Sequence, residues 1–187
     1  MNGWICFEDE AGQSLRPTKV RIWGRRGHTP VVWVHGRRGK GKVTIAGLAC
    51  YRHGQRSRFL RKQHIYRGRK GETKSLTWRD YCDLPRSAHV QLGAPIVLVW
   101  DNLSVHLHHG MQAFIERTDW LTVFQLPPYA PELNPAEGLW SVIKGGVLAN
   151  LAAAGLEHLT RVIRRGLKMI QYRPDLVDGC LAATGLT

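Results

Sequence analysis

The sequence predicts an α/β domain with a mixed sheet: three early antiparallel strands, then alternating helices and strands, then closing helices that flank the sheet. Three observations predict it. Three runs of bulky, β-branched and aromatic residues follow at short spacing before residue 52. The continuous apolar run Ile96 to Trp100 (I-V-L-V-W) has the pattern of a strand buried on both faces. Leu156, Leu159, Ile163, Leu167 and Ile170 recur at helical spacing near the end. The 187 residues suit a single domain 1–187, and a chain of that size buries roughly 70% of its unfolded surface without needing a disulfide or structural metal.

Taken in order, Trp4 to Asp9 reads as the first strand, ended by the acidic cluster Glu8-Asp9-Glu10 and Gly12. Val31 to Val34 and Val43 to Tyr51 read as the second and third. The glycine-rich stretch 36–42 turns between them, which makes an antiparallel meander. Residues 52–74 are basic and weakly periodic and read as a loop or frayed helix. Leu76 to Val90 suits a helix interrupted near Pro85. After the central strand, His109 to Thr118 is helical, with Met111, Phe114 and Ile115 on one face, and Leu121 to Leu126 is a strand. Pro127-Pro128-Tyr129-Ala130-Pro131 must then extend or turn. Asn134 is a good N-cap with Pro135 at the first helical position; Leu139, Trp140, Val142 and Ile143 supply the apolar side, and Gly145-Gly146 ends the helix. The closing helix stops before Pro174.

The net charge is +13, unevenly spread. Arg16 to Lys74 holds 18 basic residues and one acid, Glu72, for +17; the other 128 residues carry −4. Such a segment favours a polyanionic partner, nucleic acid before anionic membrane, with Arg25, Arg26, Arg37, Arg38, Lys40 and Lys42 as contact candidates. No apolar run has the roughly 18 residues of a membrane span. The first residues lack the cationic and apolar regions of a signal peptide. Cys6, Cys50, Cys82 and Cys180 lie far apart, as buried free thiols in a reducing cytoplasm would.

Gly36 to Lys42 satisfies G-x-x-x-x-G-K, but Val43 stands where a phosphate-binding loop needs Ser or Thr, and a strand-like run follows where that loop needs a helix. A basic hairpin turn is the reading. His106, His108 and His109 lack the partners of a zinc site and read as a solvated or anion-facing cluster.

The carboxylates lie outside the basic segment. Asp9 ends the first strand, Asp101 directly follows the buried run, and Glu137 sits in the first turn after Asn134-Pro135. Ligands of open α/β sheets bind beyond the carboxyl ends of strands. If the strands of Asp9 and Asp101 are neighbours, all three converge on one rim. Converging carboxylates suit Mg²⁺ or Mn²⁺, and two such ions ~3.5–4 Å apart would stabilise both oxygens of an in-line phosphoryl displacement. Each acid also has a plainer reading. Asp9 could belong to a solvated acidic turn, Asp101 could cap a turn with Asn102, and Glu137 could support its helix in capping-box manner, with Glu132 as a rival.

Three stretches carry a resemblance: F-E-D-E-A-G-Q-S-L-R-P (7–17), V-W-D-N-L-S-V-H (99–106) and L-P-P-Y-A-P-E-L-N-P-A-E-G-L-W-S-V-I-K (126–144). They resemble the DDE endonuclease domain of bacterial insertion-sequence transposases, in the branch related to mariner elements. The gap of 36 residues from Asp101 to Glu137 is close to the short spacing of that branch. R-I-W-G-R-R-G-H-T-P (21–30) and the closing L-A-A-T-G-L are similar to family sequence too, so the resemblance spans essentially the whole chain.

The resemblance implies a ribonuclease H-like fold with Asp9, Asp101 and Glu137 as a catalytic, metal-binding triad. It implies cleavage at transposon ends dependent on Mg²⁺ or Mn²⁺, with two ions, then attack of the freed 3′-hydroxyl on target DNA. Asn102, His106 and Asn134 match family positions, as support for water or phosphate or as structural residues; Trp140 also matches, on the apolar side of its helix. The partners implied are transposon-end and target DNA, with no membrane, and a homodimer when active. The helix-turn-helix region that family members carry at the N-terminus is not in this chain, so end recognition is expected of another segment or an upstream reading-frame product. Two other readings share the basic segment: a non-catalytic DNA-binding remnant, and a ribonuclease H-like nuclease acting on hybrids or junctions.

Overall fold

The computed structural model describes residues 3–21, 23, 25–29, 31 and 41–186. Its element order is β1 (Trp4–Ser14), β2 (Lys42–Tyr51), β3 (Arg58–Tyr66), α1 (Trp78–Leu92), β4 (Ile96–Trp100), α2 (His109–Glu116), β5 (Leu121–Gln125), α3 (Pro135–Gly145), α4 (Leu156–Tyr172) and α5 (Pro174–Ala183), with a 3₁₀ turn at Pro131–Leu133 before α3. The sheet runs β3-β2-β1-β4-β5; β1–β2 and β2–β3 are antiparallel, β1–β4 and β4–β5 parallel.

Alternation along β1 sends side chains to two cores. Trp4 and Cys6 join Leu48, Leu60, Leu98 and Trp100 on the face covered by α1 and α2. Phe7 and Ala11 join Ile45, Phe59, Leu139, Trp140 and Ile163 on the face covered by α3, α4 and α5. The helical stripe Leu159, Ile163, Leu167 and Ile170 is fully buried on that second face.

Three expectations need correction. The third early strand is β3, inside the stretch read as loop or frayed helix. Val31 is exposed and outside any strand, and residues 32–34 lie outside the described ones. The signal in β3 is weak because it is an edge strand: only Phe59 and Leu60 are buried, and the half-buried remainder (R-K-Q-H-I-Y) needs no apolar alternation. Pro85 does not interrupt α1; the helix runs through it, with Tyr81, Leu84, Pro85 and Ala88 buried against the sheet. That packing offsets a penalty of ~3 kcal/mol for proline inside a helix. Finally, Pro174 opens a further helix, α5, which the closing sequence did not suggest. Of the G-x-x-x-x-G-K stretch only Gly41 and Lys42 are described, and Lys42 opens a strand. Among the four cysteines, all free, Cys6, Cys50 and Cys82 are buried and Cys180 is partly so.

Candidate active site

The parallel ladder between β1 and β4 pairs Phe7 with Val99. Asp9 and Asp101 therefore stand two residues further along neighbouring strands, whose backbones lie ~5 Å apart. Asn134 brings the third acid. Its side chain accepts from Ala136 N–H at 3.1 Å, capping α3, and donates to the carbonyl of Glu8 at 3.0 Å, tying the start of α3 to β1. Glu137 in the first turn of α3 thereby reaches the same rim. Asp9, Asp101 and Glu137 all line one cleft of about 500 Å³, walled on its far side by Leu126 to Pro131. Glu132, exposed in the 3₁₀ turn, does not line it.

Asp9 is buried; Asp101 and Glu137 are exposed. Trp140 in α3 donates its indole N–H to Asp9 Oδ2 at 2.8 Å. Burial first, then the charges of Glu137 and Glu8, push the Asp9 carboxyl up to about 7, against the hydrogen bonds from Glu10 and Trp140 that favour its ionised form. Among the described residues the cleft lining includes no lysine or arginine to neutralise these acids. An all-oxygen, uncompensated set of this kind fits a hard divalent cation. Among the described residues no three His, Cys, Asp or Glu side chains form a ready-made cage. Two of the three carboxylates, those of Asp101 and Glu137, reach solvent.

Asp101 is oriented from behind. Its Oδ1 accepts from Leu103 N–H at 3.0 Å. His106 Nδ1 lies 3.1 Å from the Asp101 carbonyl, which can only accept, so Nδ1 carries the proton; Oδ1 is 3.5 Å away. His106 is buried, stacked on Trp100 with centroids 4.0 Å apart and edge-on to Tyr81. It is therefore not part of a solvated histidine cluster. Its Nε2 sits at ion-pair distance, 3.1 Å, from Glu8 Oε2, without hydrogen-bond alignment. Burial opposes the His106 cation, but Glu8 and the Asp101 oxygens outweigh it and raise its pKa. Burial likewise raises the Glu8 carboxyl, against the attraction of His106. Glu10, on the same face of β1 as Glu8, accepts from the Tyr81 hydroxyl.

Of the other residues singled out, Asn102 lines the cleft and donates to the Leu126 carbonyl at 3.1 Å, pinning the opposite wall. His108 caps α2 by accepting from Gly110 N–H and stacks on Trp78. Arg25 and Arg26 are exposed, Lys42 is half-buried at the start of β2, and Arg37, Arg38 and Lys40 lie outside the described residues. Sequence reasoning did not find the buried Glu8–His106 pair, nor the indole contact of Trp140. The alternation of β1 was the available signal for Glu8: with Asp9 facing α3, Glu8 had to enter the opposite core.

A family model described as "DDE superfamily endonuclease" matches residues 4–160. Among solved structures, the chain is similar to that of the Mos1 transposase paired-end complex with left transposon end (TM-score 0.58, 16% identity, 97% of this chain and 55% of that one). It is similar to the Mos1 strand transfer complex (0.57, 16%, 97% and 54%) and to the catalytic domain of Mos1 mariner transposase (0.51, 16%, 97% and 82%). It thus spans about half the length of the longer chains. At these identities the likeness is one of fold. No curated protein matches the sequence.

Proposed function

Since the chain belongs to the DDE superfamily endonucleases and has the ribonuclease H-like fold of a transposase catalytic domain, we propose that it cleaves DNA at transposon ends and transfers the freed strand to target DNA. One observation carries the reading: Asp9, Asp101 and Glu137, from two adjacent parallel strands and one helix, line the same cleft, with no basic counter-ion in its lining among the described residues. Their carboxylates would hold the divalent ions, Mg²⁺ or Mn²⁺, one or two in number. Bound there, such ions supply positive charge at the attacking and leaving oxygens of an in-line displacement at phosphorus.

The chain's own residues do the positioning. Trp140 fixes one oxygen of Asp9; Leu103 N–H holds the carboxylate of Asp101 and His106 its backbone carbonyl. Asn134 sets the height of α3 against β1 and with it Glu137. Asn102 holds the Leu126 to Pro131 wall, which limits how a DNA strand enters. DNA is the partner of the Mos1 complexes named above, and the +13 chain suits it. A dimer would bring two ends together, and end recognition would come from a helix-turn-helix region or companion chain.

The test is nicking of supercoiled plasmid with Mn²⁺ or Mg²⁺, which needs no specific end sequence. Wild type is expected to nick only with metal. Asp101→Asn should lose activity by at least about a hundredfold, the lower range for one catalytic side chain. Equal nicking by both proteins would remove Asp101 from the reaction. Joined products on a target duplex separate strand transfer from simple hydrolysis.

A further inference from the structure

On the exposed side of α4, Arg161, Arg164, Arg165 and Lys168 recur at i, i+3, i+4 and i+7, opposite the buried apolar stripe. They rise over about 10 Å of helix, the axial rise of roughly three base pairs of duplex. These four belong to the part of the chain whose net charge is −4, so the stripe is invisible in the charge partition. They also lie beyond residues 4–160 of the family match, which assigns them nothing.

The stripe does not stand alone. The β3 edge strand sends Arg61, Gln63 and Ile65 to the same face, and Arg164 Nε lies 3.3 Å from Gln63 Oε1. A groove of about 390 Å³ between α4 and the end of β3 is lined by Ile65, Arg67, Arg161 and Arg164, with Glu157 as its carboxylate among the described residues. Arg61 and Gln63 precede Ile65 on the same face of β3 and continue the polar edge away from this groove. Burial and then the nearness of Arg164 depress the Arg61 guanidinium. Guanidiniums gathered this closely repel one another, and a phosphate on their exposed side would relieve that repulsion. Register fixes the place: Asp9 pairs with Gly47, and Gly47 with Arg61, so Arg61 is two strands, ~10 Å, from the cleft acid on the same sheet face.

We propose that the α4 stripe and the β3 edge form a phosphate-backbone site that holds duplex DNA alongside the cleft. This rests on the nuclease reading for its partner but not for its geometry. Its contacts are to phosphates, so it binds without reading sequence and positions the duplex that the cleft cuts.

The experiment measures affinity of the full chain for a fluorescent 20-bp duplex across a salt series, beside a single-stranded RNA of equal length. Arg161→Glu/Arg164→Glu should weaken duplex binding roughly tenfold and make the log–log salt slope shallower by about 2. Arg117→Glu, an exposed cation near the opposite sheet edge, should change both far less. Arg161→Gln/Lys168→Gln, both at exposed positions, repeats the test if the first pair unfolds. The patch variants should raise the DNA concentration for half-maximal nicking and leave the rate at saturating DNA unchanged. An unaltered salt slope in both patch variants overturns the site, as does a loss confined to RNA. A wild type that binds through the patch but never nicks leaves the site standing and removes the nuclease reading instead.

Discussion

Asp9 carries a conflict that reports on function. Its carboxyl sits at about 7 in the folded chain against an ordinary 3.8. A carboxyl that holds its proton more tightly when folded contributes stability fully below about pH 4, and that contribution is lost as pH rises through about 7. Glu8 and His106 are raised as well and act in the same direction. Metal-free protein should therefore lose on the order of a few kcal/mol between about pH 4 and pH 8. Asp9→Asn, neutral throughout, should flatten that slope and be the more stable protein at pH 8. Urea denaturation at several pH values decides it; a variant slope as steep as wild type would sink the assignment. Adding Mn²⁺ at pH 8 should raise the melting temperature of wild type and not of the variant. That Asp9, Asp101 and Glu137 would meet at one cleft was legible because the motif around each resembles a family pattern. Glu8 and His106 were not legible as a pair, because they meet across 98 residues and only the neighbouring of β1 and β4 brings them together.

At the scale of elements, β2 owes one glycine to the site. A Cβ at Gly47 would stand 2.6 Å from Trp140 Cη2 and 2.9 Å from Phe59 Cε2. The bare backbone is the floor on which the indole lies while its N–H reaches Asp9. Gly47→Ala should cost about 1–3 kcal/mol by overpacking and displace Trp140 from the carboxylate. A melting temperature equal to wild type would show that the indole has room to spare. Nothing in V-T-I-A-G-L-A announces this, since a strand glycine signals a close approach without naming what approaches. Elsewhere legibility followed burial. β4, buried within the sheet between β1 and β5, and α4, with a continuous apolar stripe, were plain in the sequence. β3 was hidden by its edge position, and α5 by a short, weakly patterned sequence of which only Val177 is fully buried.

Across the whole molecule, charge is sorted by place and not by segment. Among the described residues the cleft lining is acidic and holds no lysine or arginine, while basic side chains gather along β3 and the outer side of α4. A count along the chain divides 16–74 from the rest and so separates β3 from α4, which the fold packs together. That is why the primary sequence indicated a polyanionic partner yet gave only half of the surface that would meet it. Among the described residues no helix is long and apolar enough to cross a membrane.

The position of β3 has one more consequence. An outermost strand offers its unpaired backbone groups to any other strand, including the same strand of a second copy. Arg58 and Arg61 make such self-pairing repulsive, because two copies aligned there would bring like charges together, whereas Lys62 is already paired with Asp80 and Asp83 of α1. Arg61 would thus both face an anion and keep the chain from templating its own aggregation. Arg58→Thr/Arg61→Thr, which leaves a strand rich in β-formers, should then scatter light at protein concentrations where wild type stays clear, and a variant solution as clear as wild type would show that these charges do not guard the edge.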